Sequence, residues 1–189
     1  MTTVLTISAL DVGLDKTVNY MKRVCKGFAV ADGRTQIQVK YPATLDPTGT
    51  GSIATGAEKL NTLIRITSGP KIVLGYSQGA QVAGAWLRKY AYTPNSPNPD
   101  ELSFILIGNP ERKYGQQPWT KKTTPDDTRY KIRDVARRGD NWSDWQNTTD
   151  NRFAAMFGST HLNYWNVDIY DPKAETRKIV GNTTYVVVP

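Results

Sequence analysis

Cysteine and histidine are nearly absent from this chain of 189 residues, which contains one of each, Cys25 and His161. A single cysteine excludes an intramolecular disulfide, and with one histidine it also excludes a zinc site built from these residue types. No apolar run approaches the roughly 20 residues that a membrane-spanning helix needs. The N-terminal residues lack the basic flank and the small-residue cleavage site of a signal peptide. We therefore expect a globular protein without an integral membrane span or a signal peptide.

Charge is the second feature that excludes a function class. Lysine and arginine number 24 against 17 acidic residues, a net charge of +7, but they are scattered in pairs and never form a run of five. Nucleic-acid binding is usually accompanied by a concentrated basic stripe or a known module, so we expect no nucleic-acid partner. A solvated basic surface is the simpler interpretation, and attraction to an anionic bacterial wall is the functional alternative.

Apolar periodicity alternates between strand and helix along the chain. Short β-rich or alternating runs predict five strands, at residues 3–8, 35–41, 71–75, 102–107 and 129–136. Helical spacing predicts helices at residues 14–25, 51–67 and 78–91, with a further helical region at about 142–157. This order predicts an α/β fold, a three-layer sandwich in which helices cover both faces of a mostly parallel sheet.

The end of the chain predicts a β-hairpin over residues 176–188, since two β-rich runs flank the tight-turn pair Gly181-Asn182. The polar stretch 108–128, rich in glycine and proline, is typical of a lid or a binding loop. No linker is long enough to divide the chain, so we expect one domain over residues 1–189 with the hairpin appended. Gly49 to Ala54 fits G-x-G-x-x-A, but its context favours a loop and helix cap over a dinucleotide site.

The strongest motif is the G-x-S-x-G of residues 75–79, directly after a predicted buried strand and directly before a predicted helix. This is the context of a nucleophile elbow, in which Ser77 occupies a strained turn and the flanking glycines allow helix and strand to approach. The backbone N–H of Gln78, at the helix N-terminus, then points to where an oxyanion would form. We interpret Ser77 as a catalytic nucleophile.

A serine nucleophile needs a base, and His161 is the one histidine in the chain. It follows Ser77 and a series of carboxylates, which is the Ser–Asp–His order of α/β-hydrolases. The third group must be a carboxylate that fixes the imidazole tautomer. Asp140 follows a predicted strand at the edge where catalytic groups of open α/β sheets lie. Asp144 is its main rival, whereas Asp134 lies inside the strand, where a surface ion pair is the simpler interpretation.

Five blocks of the sequence follow one another in a recognisable order, at residues 41–43, 75–80, 108–110, 133–140 and 161–164. Together they resemble the phage lysin B family of cutinase-like serine esterases, which is related to bacterial cutinases and PE-PPE esterases. The resemblance covers nearly the whole chain. It implies an α/β-hydrolase fold and the assignment of Ser77, Asp140 and His161 as nucleophile, acid and base, without metal or cofactor. It also implies cleavage of the ester that joins mycolic acids to arabinogalactan.

The loop after the first strand departs from that family, which typically has His-Gly-Thr-Gly there to supply the second oxyanion donor. The equivalent residues here are Ser8, Ala9, Leu10 and Asp11. The backbone N–H of Ala9 or Leu10 is the expected replacement, with the Ser8 hydroxyl as a possible helper. Only 20 residues lie between Asp140 and His161, so the helical linker domain of larger lysin B proteins has no room.

The walls of a lipid groove must come from the loops at the same edge, which hold large amphipathic rings. We expect five of these aromatic residues to contact substrate: Trp119, Trp142, Trp145, Tyr164 and Trp165. The predicted substrate is a lipid ester or glycolipid of the mycobacterial-type envelope. We expect a phage-encoded protein that is synthesised in the host cytoplasm and cleaves this substrate during lysis or envelope penetration. Two alternatives remain open: a cutinase-like esterase of ordinary lipids or small esters, and a virion tail or wall-binding module with weak or no catalysis.

Overall fold

A computed structural model describes residues 1–10, 19–115, 121–145 and 160–189 of the chain. These residues form one sheet of seven strands in the order β2-β1-β3-β4-β5-β7-β6. The strands are β1 (Thr3–Ile7), β2 (Thr35–Gln38), β3 (Lys71–Tyr76), β4 (Leu102–Ile107), β5 (Lys131–Arg137), β6 (Glu175–Val180) and β7 (Thr183–Val188). All neighbouring pairs are parallel except β6 and β7, which are antiparallel. The predicted α/β class with a mostly parallel sheet is confirmed.

Side chains of the central strands alternate between two hydrophobic cores, one on each face of the sheet. In β3, for example, Val73 belongs to the core on one face and Leu74 to the core on the other. Because successive side chains of a strand point to opposite faces, a sheet whose strands are buried throughout must be covered on both sides. Both faces are covered, as the predicted three-layer arrangement requires, and among the described residues long helices cover one of them.

Two long helices cover one face of the sheet. The helices of the described residues are α1 (Val24–Gly27), which is very short, α2 (Ser52–Ile66) and α3 (Gln78–Tyr90). Residues spaced at helical intervals in α2 and α3, such as Leu60 and Trp86, enter the core on that face. Both helices therefore follow their predicted bounds closely. No helix among the residues described is long and apolar enough to cross a membrane.

The N-terminus of α2 is capped by a carboxylate of the chain itself. The two carboxylate oxygens of Asp46 accept hydrogen bonds from the backbone N–H groups of Gly49, Gly51 and Ile53, at 2.9, 3.1 and 2.8 Å. Asp46 thus occupies the position at which a helix N-terminus would bind a phosphate group. The interpretation of the G-x-G-x-x-A stretch as a loop and helix cap is confirmed.

The predicted helix over residues 14–25 is wrong for the part that the structure describes, which begins at residue 19. A 3₁₀ turn at Tyr20–Lys22 leads into α1, and within α1 Cys25 and Lys26 have φ values of 53° and 56°. A left-handed backbone ends a right-handed helix, so the apolar residues here do not lie along one helix. Their spacing instead reflects an irregular segment that packs on the second face of the sheet, where Cys25 is buried.

The hairpin joins the sheet instead of lying beside it. Strand β7 pairs with β5 on one side and with β6 on the other, and five of its residues are nearly inaccessible to solvent: Thr183, Tyr185, Val186, Val187 and Val188. The five predicted strands and the two of the hairpin therefore form one layer. The assignment of the whole chain to a single domain stays a prediction.

Asp134 forms a buried ion pair, which corrects the expectation of a surface pair. Its carboxylate accepts a hydrogen bond from Arg112 at 2.6 Å, and both side chains are almost wholly inaccessible to solvent. The Asn109 amide donates to the other carboxylate oxygen at 2.8 Å, and Arg112 also donates to the carbonyl of Val186 in β7. Burial raises the pKa of Asp134 against the lowering effect of Arg112. The network ties the loop after β4 to strands β5 and β7.

Candidate active site

The carboxyl ends of four parallel strands meet at one edge of the sheet, and residues of the candidate site follow these strands. Ser8 follows β1, Ser77 follows β3, Gly108 follows β4 and Asp140 lies three residues beyond β5. Catalytic groups of open α/β sheets collect at this edge because every loop that leaves it comes from a rigid strand. The sheet therefore brings together residues that are far apart in the sequence.

Ser77 lies in the strained turn between β3 and α3 that the motif predicts. Its φ of 53° and ψ of −116° lie in a region that residues other than glycine rarely adopt. Its backbone N–H donates to the carbonyl of Ile107 in β4 at 3.0 Å, which fixes the turn to the sheet. The side chain is partly accessible to solvent.

The two flanking glycines of the motif are required by close backbone contacts. A Cβ atom on Gly75 would lie 2.7 Å from the carbonyl oxygen of Gly79, and a Cβ on Gly79 would lie 2.1 Å from the carbonyl oxygen of Ile7. Both distances are far below a van der Waals contact, and the opposing atoms belong to backbone that cannot rotate away. The first turn of α3 thus lies directly against the ends of β1 and β3.

Ser77, His161 and Asp140 form a continuous hydrogen-bonded path. The Ser77 hydroxyl lies 2.9 Å from Nε2 of His161, and Nδ1 of His161 lies 2.9 and 3.0 Å from the two carboxylate oxygens of Asp140. With the ring proton on Nδ1, Nε2 can accept the serine proton. The carboxylate of Asp144, the rival candidate for the acid, instead accepts a hydrogen bond from the backbone N–H of Gly139.

The Asp140 carboxylate is fully buried and accepts hydrogen bonds from several donors besides the imidazole. These donors are the N–H of Trp142 at 2.9 Å, the hydroxyl of Ser143 at 2.8 Å and the hydroxyl of Tyr164 at 2.7 Å. Burial alone would raise the pKa of Asp140, but the charge and hydrogen bond of His161, with those of Tyr164 and Trp142, hold that pKa below its usual value. The carboxylate therefore stays ionised as the partner of the imidazole.

Three residues around these groups were not identified by their sequence context. Gly108 has a φ of 53°, and a Cβ there would lie 3.2 Å from the imidazole of His161 and 3.3 Å from the Asp140 carboxylate. The Tyr76 hydroxyl donates to the backbone carbonyl of His161, and Ser143 binds Asp140 as described. Gly108 could have been identified from the sequence, because it is a glycine that directly follows a buried strand at this edge. Tyr76 and Ser143 could not, because their partners are defined by the tertiary structure and leave no pattern in the neighbouring sequence.

The predicted oxyanion donors lie where the end of β1 approaches α3. The N–H of Gln78 is the first of α3, and the first N–H groups of a helix have no acceptor within the helix. The loop formed by Ser8, Ala9 and Leu10 begins at the point where Ile7 contacts Gly79, and the Tyr41 hydroxyl fixes it by donating to the Ser8 carbonyl at 2.8 Å. Which of these groups donates to a reaction intermediate stays a prediction.

Two exposed leucines lie on segments that carry or contact residues of the candidate site. Leu162 directly follows His161 and is 59% exposed, and Leu45 is 75% exposed. Leu45 follows Thr44, whose carbonyl accepts a hydrogen bond from the Gln78 side chain at 2.9 Å, so this loop lies beside the first turn of α3. Leucines at such positions can contact an apolar substrate chain without first being uncovered.

The predicted aromatic wall is only partly in the expected place. Trp142 lies with its ring centroid 5.7 Å from that of His161 and is partly accessible, as a wall residue should be. Tyr164 is fully buried beneath Asp140, and this burial corrects its assignment to a substrate-binding wall. Trp165 packs edge-on against Tyr20 and belongs to the margin of the core on that face.

The other two predicted wall residues are Trp145 and Trp119. Trp145 is partly buried, and its backbone N–H donates to the carbonyl of Gly115 at 2.8 Å, which links two loops at this edge. Trp119 lies outside the described residues, as does most of the helical region predicted at about 142–157. Their part in substrate binding stays a prediction.

Comparison with known families gives a match over most of the chain. The sequence profile of the PE-PPE domain matches residues 32–189. Among curated proteins of Mycobacterium tuberculosis, Esterase PE16 is 45% identical over 69 residues, which are 34% of this chain and 13% of that protein. SL1278 acyltransferase Chp1 is 35% identical over 83 residues, 40% of this chain and 20% of that protein. The chain thus matches only a small part of each relative's length.

Solved structures share the fold at low sequence identity. A cutinase-like protein from Cryptococcus sp. is 18% identical with a TM-score of 0.52, covering 86% of this chain and 85% of that one. Lysin B from mycobacteriophage D29 is 20% identical with a TM-score of 0.51, covering 70% of this chain and 62% of that one. An acetyl xylan esterase is 16% identical with a TM-score of 0.51, covering 86% and 90%.

Proposed function

Because this chain belongs to the PE-PPE family, we propose that it is a serine esterase that hydrolyses lipid esters with Ser77, His161 and Asp140. The observation that carries the proposal is the unbroken hydrogen-bond path from the Ser77 hydroxyl through the imidazole to a buried, ionised carboxylate. The path starts on a nucleophile elbow, where a strained backbone presents the hydroxyl at the N-terminus of a helix.

In the first half of the reaction, Ser77 Oγ attacks the ester carbonyl carbon as its proton passes to Nε2 of His161. The carbonyl oxygen takes up negative charge and receives hydrogen bonds from the Gln78 N–H and from the loop after β1. When the tetrahedral intermediate collapses, the bond to the alcohol oxygen breaks and His161 gives its proton to that oxygen. An acyl-enzyme on Ser77 and a free alcohol result.

In the second half, a water molecule replaces the alcohol. His161 removes a proton from the water, the resulting oxygen attacks the acyl carbon, and collapse returns the proton to Ser77 Oγ and releases the acid. Throughout, Asp140 keeps the imidazole in the tautomer whose Nε2 accepts a proton and stabilises the imidazolium that forms twice in each cycle. Each step uses only groups of this chain and a water molecule.

A lipid substrate is supported by the surroundings of Ser77. Leu45 and Leu162 are exposed on segments next to the candidate site, and the ring centroid of Trp142 lies 5.7 Å from that of His161. Each acyl CH₂ that such surfaces remove from water contributes about 0.8 kcal/mol, so even partial contact favours a longer chain. The relatives described above come from a mycobacterium, which supports a substrate from a mycobacterial-type envelope.

We further propose that the ester cleaved is that of mycolyl-arabinogalactan and that the protein acts on the envelope during phage lysis or penetration. The fold shared with lysin B of a mycobacteriophage supports this assignment. The test is the release of mycolic acid from purified mycolyl-arabinogalactan, with the Ser77→Ala variant as the control. Release by the wild type alone supports the assignment. Hydrolysis of simple lipid esters without release of mycolic acid would favour the cutinase-like alternative.

Reaction with a fluorophosphonate probe tests the enzyme itself. We expect the wild type to be labelled at Ser77 and the Ser77→Ala and His161→Ala variants to remain unlabelled, because the probe needs an activated serine. The described part of the chain holds many other hydroxyl groups, so labelling that persists in Ser77→Ala would contradict the proposed nucleophile. A wild type that is neither labelled nor active would favour the wall-binding alternative.

A further inference from the structure

Two buried tyrosines hydrogen-bond to the candidate base and acid, although the proposed chemistry gives neither a step. The Tyr76 hydroxyl donates to the backbone carbonyl of His161, and the Tyr164 hydroxyl donates to the Asp140 carboxylate at 2.7 Å. Their rings also contact each other, with centroids 5.4 Å apart. We infer that Tyr76 and Tyr164 are positioning residues that hold the His161–Asp140 pair against Ser77. The inference rests on the proposed function.

The Tyr164 hydroxyl both accepts and donates a hydrogen bond. The hydroxyl oxygen accepts a hydrogen bond from the backbone N–H of Arg137 at 2.9 Å, so its own proton is directed to Asp140. Burial, followed by the nearby charge of Asp140, raises the pKa of Tyr164 well above its ordinary value. The phenol therefore stays protonated and remains a donor at any pH at which the enzyme would work.

The Ser143 hydroxyl donates to Oδ2 of Asp140 at 2.8 Å, the same oxygen that accepts the hydrogen bond of Tyr164. The other oxygen accepts the N–H of Trp142. Together with Tyr164, these donors fix the carboxylate plane, so that both of its oxygens lie within hydrogen-bond distance of Nδ1 of His161. Removal of the Tyr164 hydroxyl leaves the carboxylate with less restraint on the side that faces β5.

Tyr76 connects the candidate base directly to the nucleophile elbow. It precedes Ser77 in the sequence, and its phenol bonds the backbone of His161, so a rigid side chain sets the spacing between the two residues. Tyr20 stacks on the Tyr76 ring at a centroid distance of 5.6 Å and donates to the carbonyl of Leu162 at 3.3 Å. The segment that carries the imidazole is therefore held by two phenols beneath it.

The chain offers a matched control for each positioning residue. Tyr185 is buried and donates to a carboxylate, that of Asp126 at 3.2 Å, as Tyr164 does to Asp140. Tyr130 is buried and donates to a backbone carbonyl, that of Pro97 at 2.9 Å, as Tyr76 does to His161. Neither control contacts Ser77, His161 or Asp140, so a phenylalanine at these positions removes a comparable hydrogen bond away from the site.

The first measurement is steady-state hydrolysis of a p-nitrophenyl ester by Tyr164→Phe, Tyr76→Phe, Tyr185→Phe and Tyr130→Phe. We expect kcat to fall about 10–100-fold in the two site variants with KM unchanged, since small misplacement of reacting groups costs this much. We expect kcat of both controls to stay within about twofold of the wild-type value, although their melting temperatures should fall about as much as those of the site variants. Equal losses of kcat in site and control variants would show a merely structural effect and overturn the inference.

The second measurement does not depend on activity. Because the chain has one histidine, the hydrogen-bonded Nδ1 proton in a ¹H NMR spectrum of ¹⁵N-histidine-labelled protein belongs to His161. We expect a resonance that is sharp in the wild type and in the controls, and broadened by solvent exchange in the site variants. An unchanged resonance in both site variants overturns the inference. A broadened resonance together with an inactive wild type supports the positioning and contradicts the esterase proposal.

Discussion

Gly79 and Ile7 lie so close together that a Cβ atom on the glycine would be 2.1 Å from the carbonyl oxygen of the isoleucine. The contact joins the first turn of α3 to the end of β1, two elements that carry the candidate nucleophile and the candidate oxyanion loop. It makes the second glycine of the motif a packing requirement. The position of the loop after β1 thus depends on a residue in a different element.

The Gly79→Ala variant tests this contact. In a helix, alanine is favoured over glycine by about 1 kcal/mol, but overpacking against backbone costs about 3 kcal/mol. The clash outweighs the helix preference, so we expect the free energy of unfolding, measured in urea, to fall by about 2 kcal/mol. We also expect loss of esterase activity. Equal stability of Gly79→Ala and the wild type would contradict this reading of the contact.

Asp140→Asn should damage catalysis far more than Asp144→Asn. An asparagine at position 140 favours the wrong imidazole tautomer and should lower kcat by about 10³–10⁴. Asp144 instead binds the N–H of Gly139, so its replacement should cost less than about tenfold. His161→Ala should lower kcat by about 10⁴–10⁶. Steady-state kinetics with a p-nitrophenyl ester measures all three, and the reverse order of the two aspartate variants would assign the acid to Asp144.

Ser8→Ala separates a side-chain donor from a backbone donor in the oxyanion site. If the N–H of Ala9 or Leu10 completes the site, loss of the Ser8 hydroxyl should lower kcat by less than about tenfold. A principal donor is worth about 10²–10³ in kcat. We expect the smaller effect, because the Tyr41 hydroxyl fixes the backbone of this loop through the Ser8 carbonyl. A loss near the larger value would identify the hydroxyl as the donor.

Leu45→Ser and Leu162→Ser should reduce the preference for long acyl chains. Each leucine is more than half exposed, so its replacement should leave the stability nearly unchanged. We expect kcat/KM for a long-chain p-nitrophenyl ester to fall about three- to tenfold, with little change for the acetate. Ile66→Ser and Ile179→Ser replace exposed isoleucines elsewhere and serve as controls. A uniform fall for all chain lengths would argue against acyl contact at these leucines.

The Asp46 cap should give a stability contribution that depends on pH. Partial burial acts to raise the pKa of Asp46, but hydrogen bonds from the N–H groups of Ile53, Gly49 and Gly51 hold it below the model-peptide value of 3.8. A lowered pKa means that the contribution is present above pH 3.8 and is lost as the pH falls through the folded-state value. We expect Asp46→Asn to cost about 1 kcal/mol near neutral pH.

Urea unfolding of the wild type and of Asp46→Asn over a series of pH values measures this contribution. The difference between the two proteins should vanish at acid pH, where the wild-type carboxyl is itself protonated. Asp100→Asn, at an exposed position, is the control and should show a small difference throughout. A difference that persists unchanged in acid would mean that the Asp46 charge does not stabilise α2.

The elements that could be predicted are those whose sequence pattern has a single physical cause. Helices α2 and α3 follow from apolar residues at helical spacing, and the strands follow from compact apolar runs. The glycines around Ser77 could be interpreted because a G-x-S-x-G between strand and helix has one steric explanation. In these cases the local sequence and the tertiary packing require the same conformation.

The errors arose where a distant residue decides the outcome. Asp134 in β5 is buried because Arg112, on the loop after β4, neutralises it, and nothing adjacent to Asp134 in the sequence indicates that partner. Tyr164 has the amphipathic ring expected of a lipid contact, but its hydroxyl binds Asp140 inside the protein. Cys25 has helical spacing from its apolar neighbours, yet its left-handed backbone is set by contacts with residues near the other end of the chain, such as the Tyr164 carbonyl.

The position of β7 has a consequence for the order in which the protein can fold. Strand β5, which leads to Asp140, pairs with β4 on one side and with residues 183–188 on the other. During synthesis from the N-terminus, β5 therefore keeps an open hydrogen-bonding edge until the hairpin has been made. An open strand edge presents unpaired N–H and C=O groups, which invite pairing with other chains. We therefore expect the part of the sheet that leads to Asp140 to be complete only after residues 183–188 have been synthesised, and we expect removal of these residues to favour aggregation.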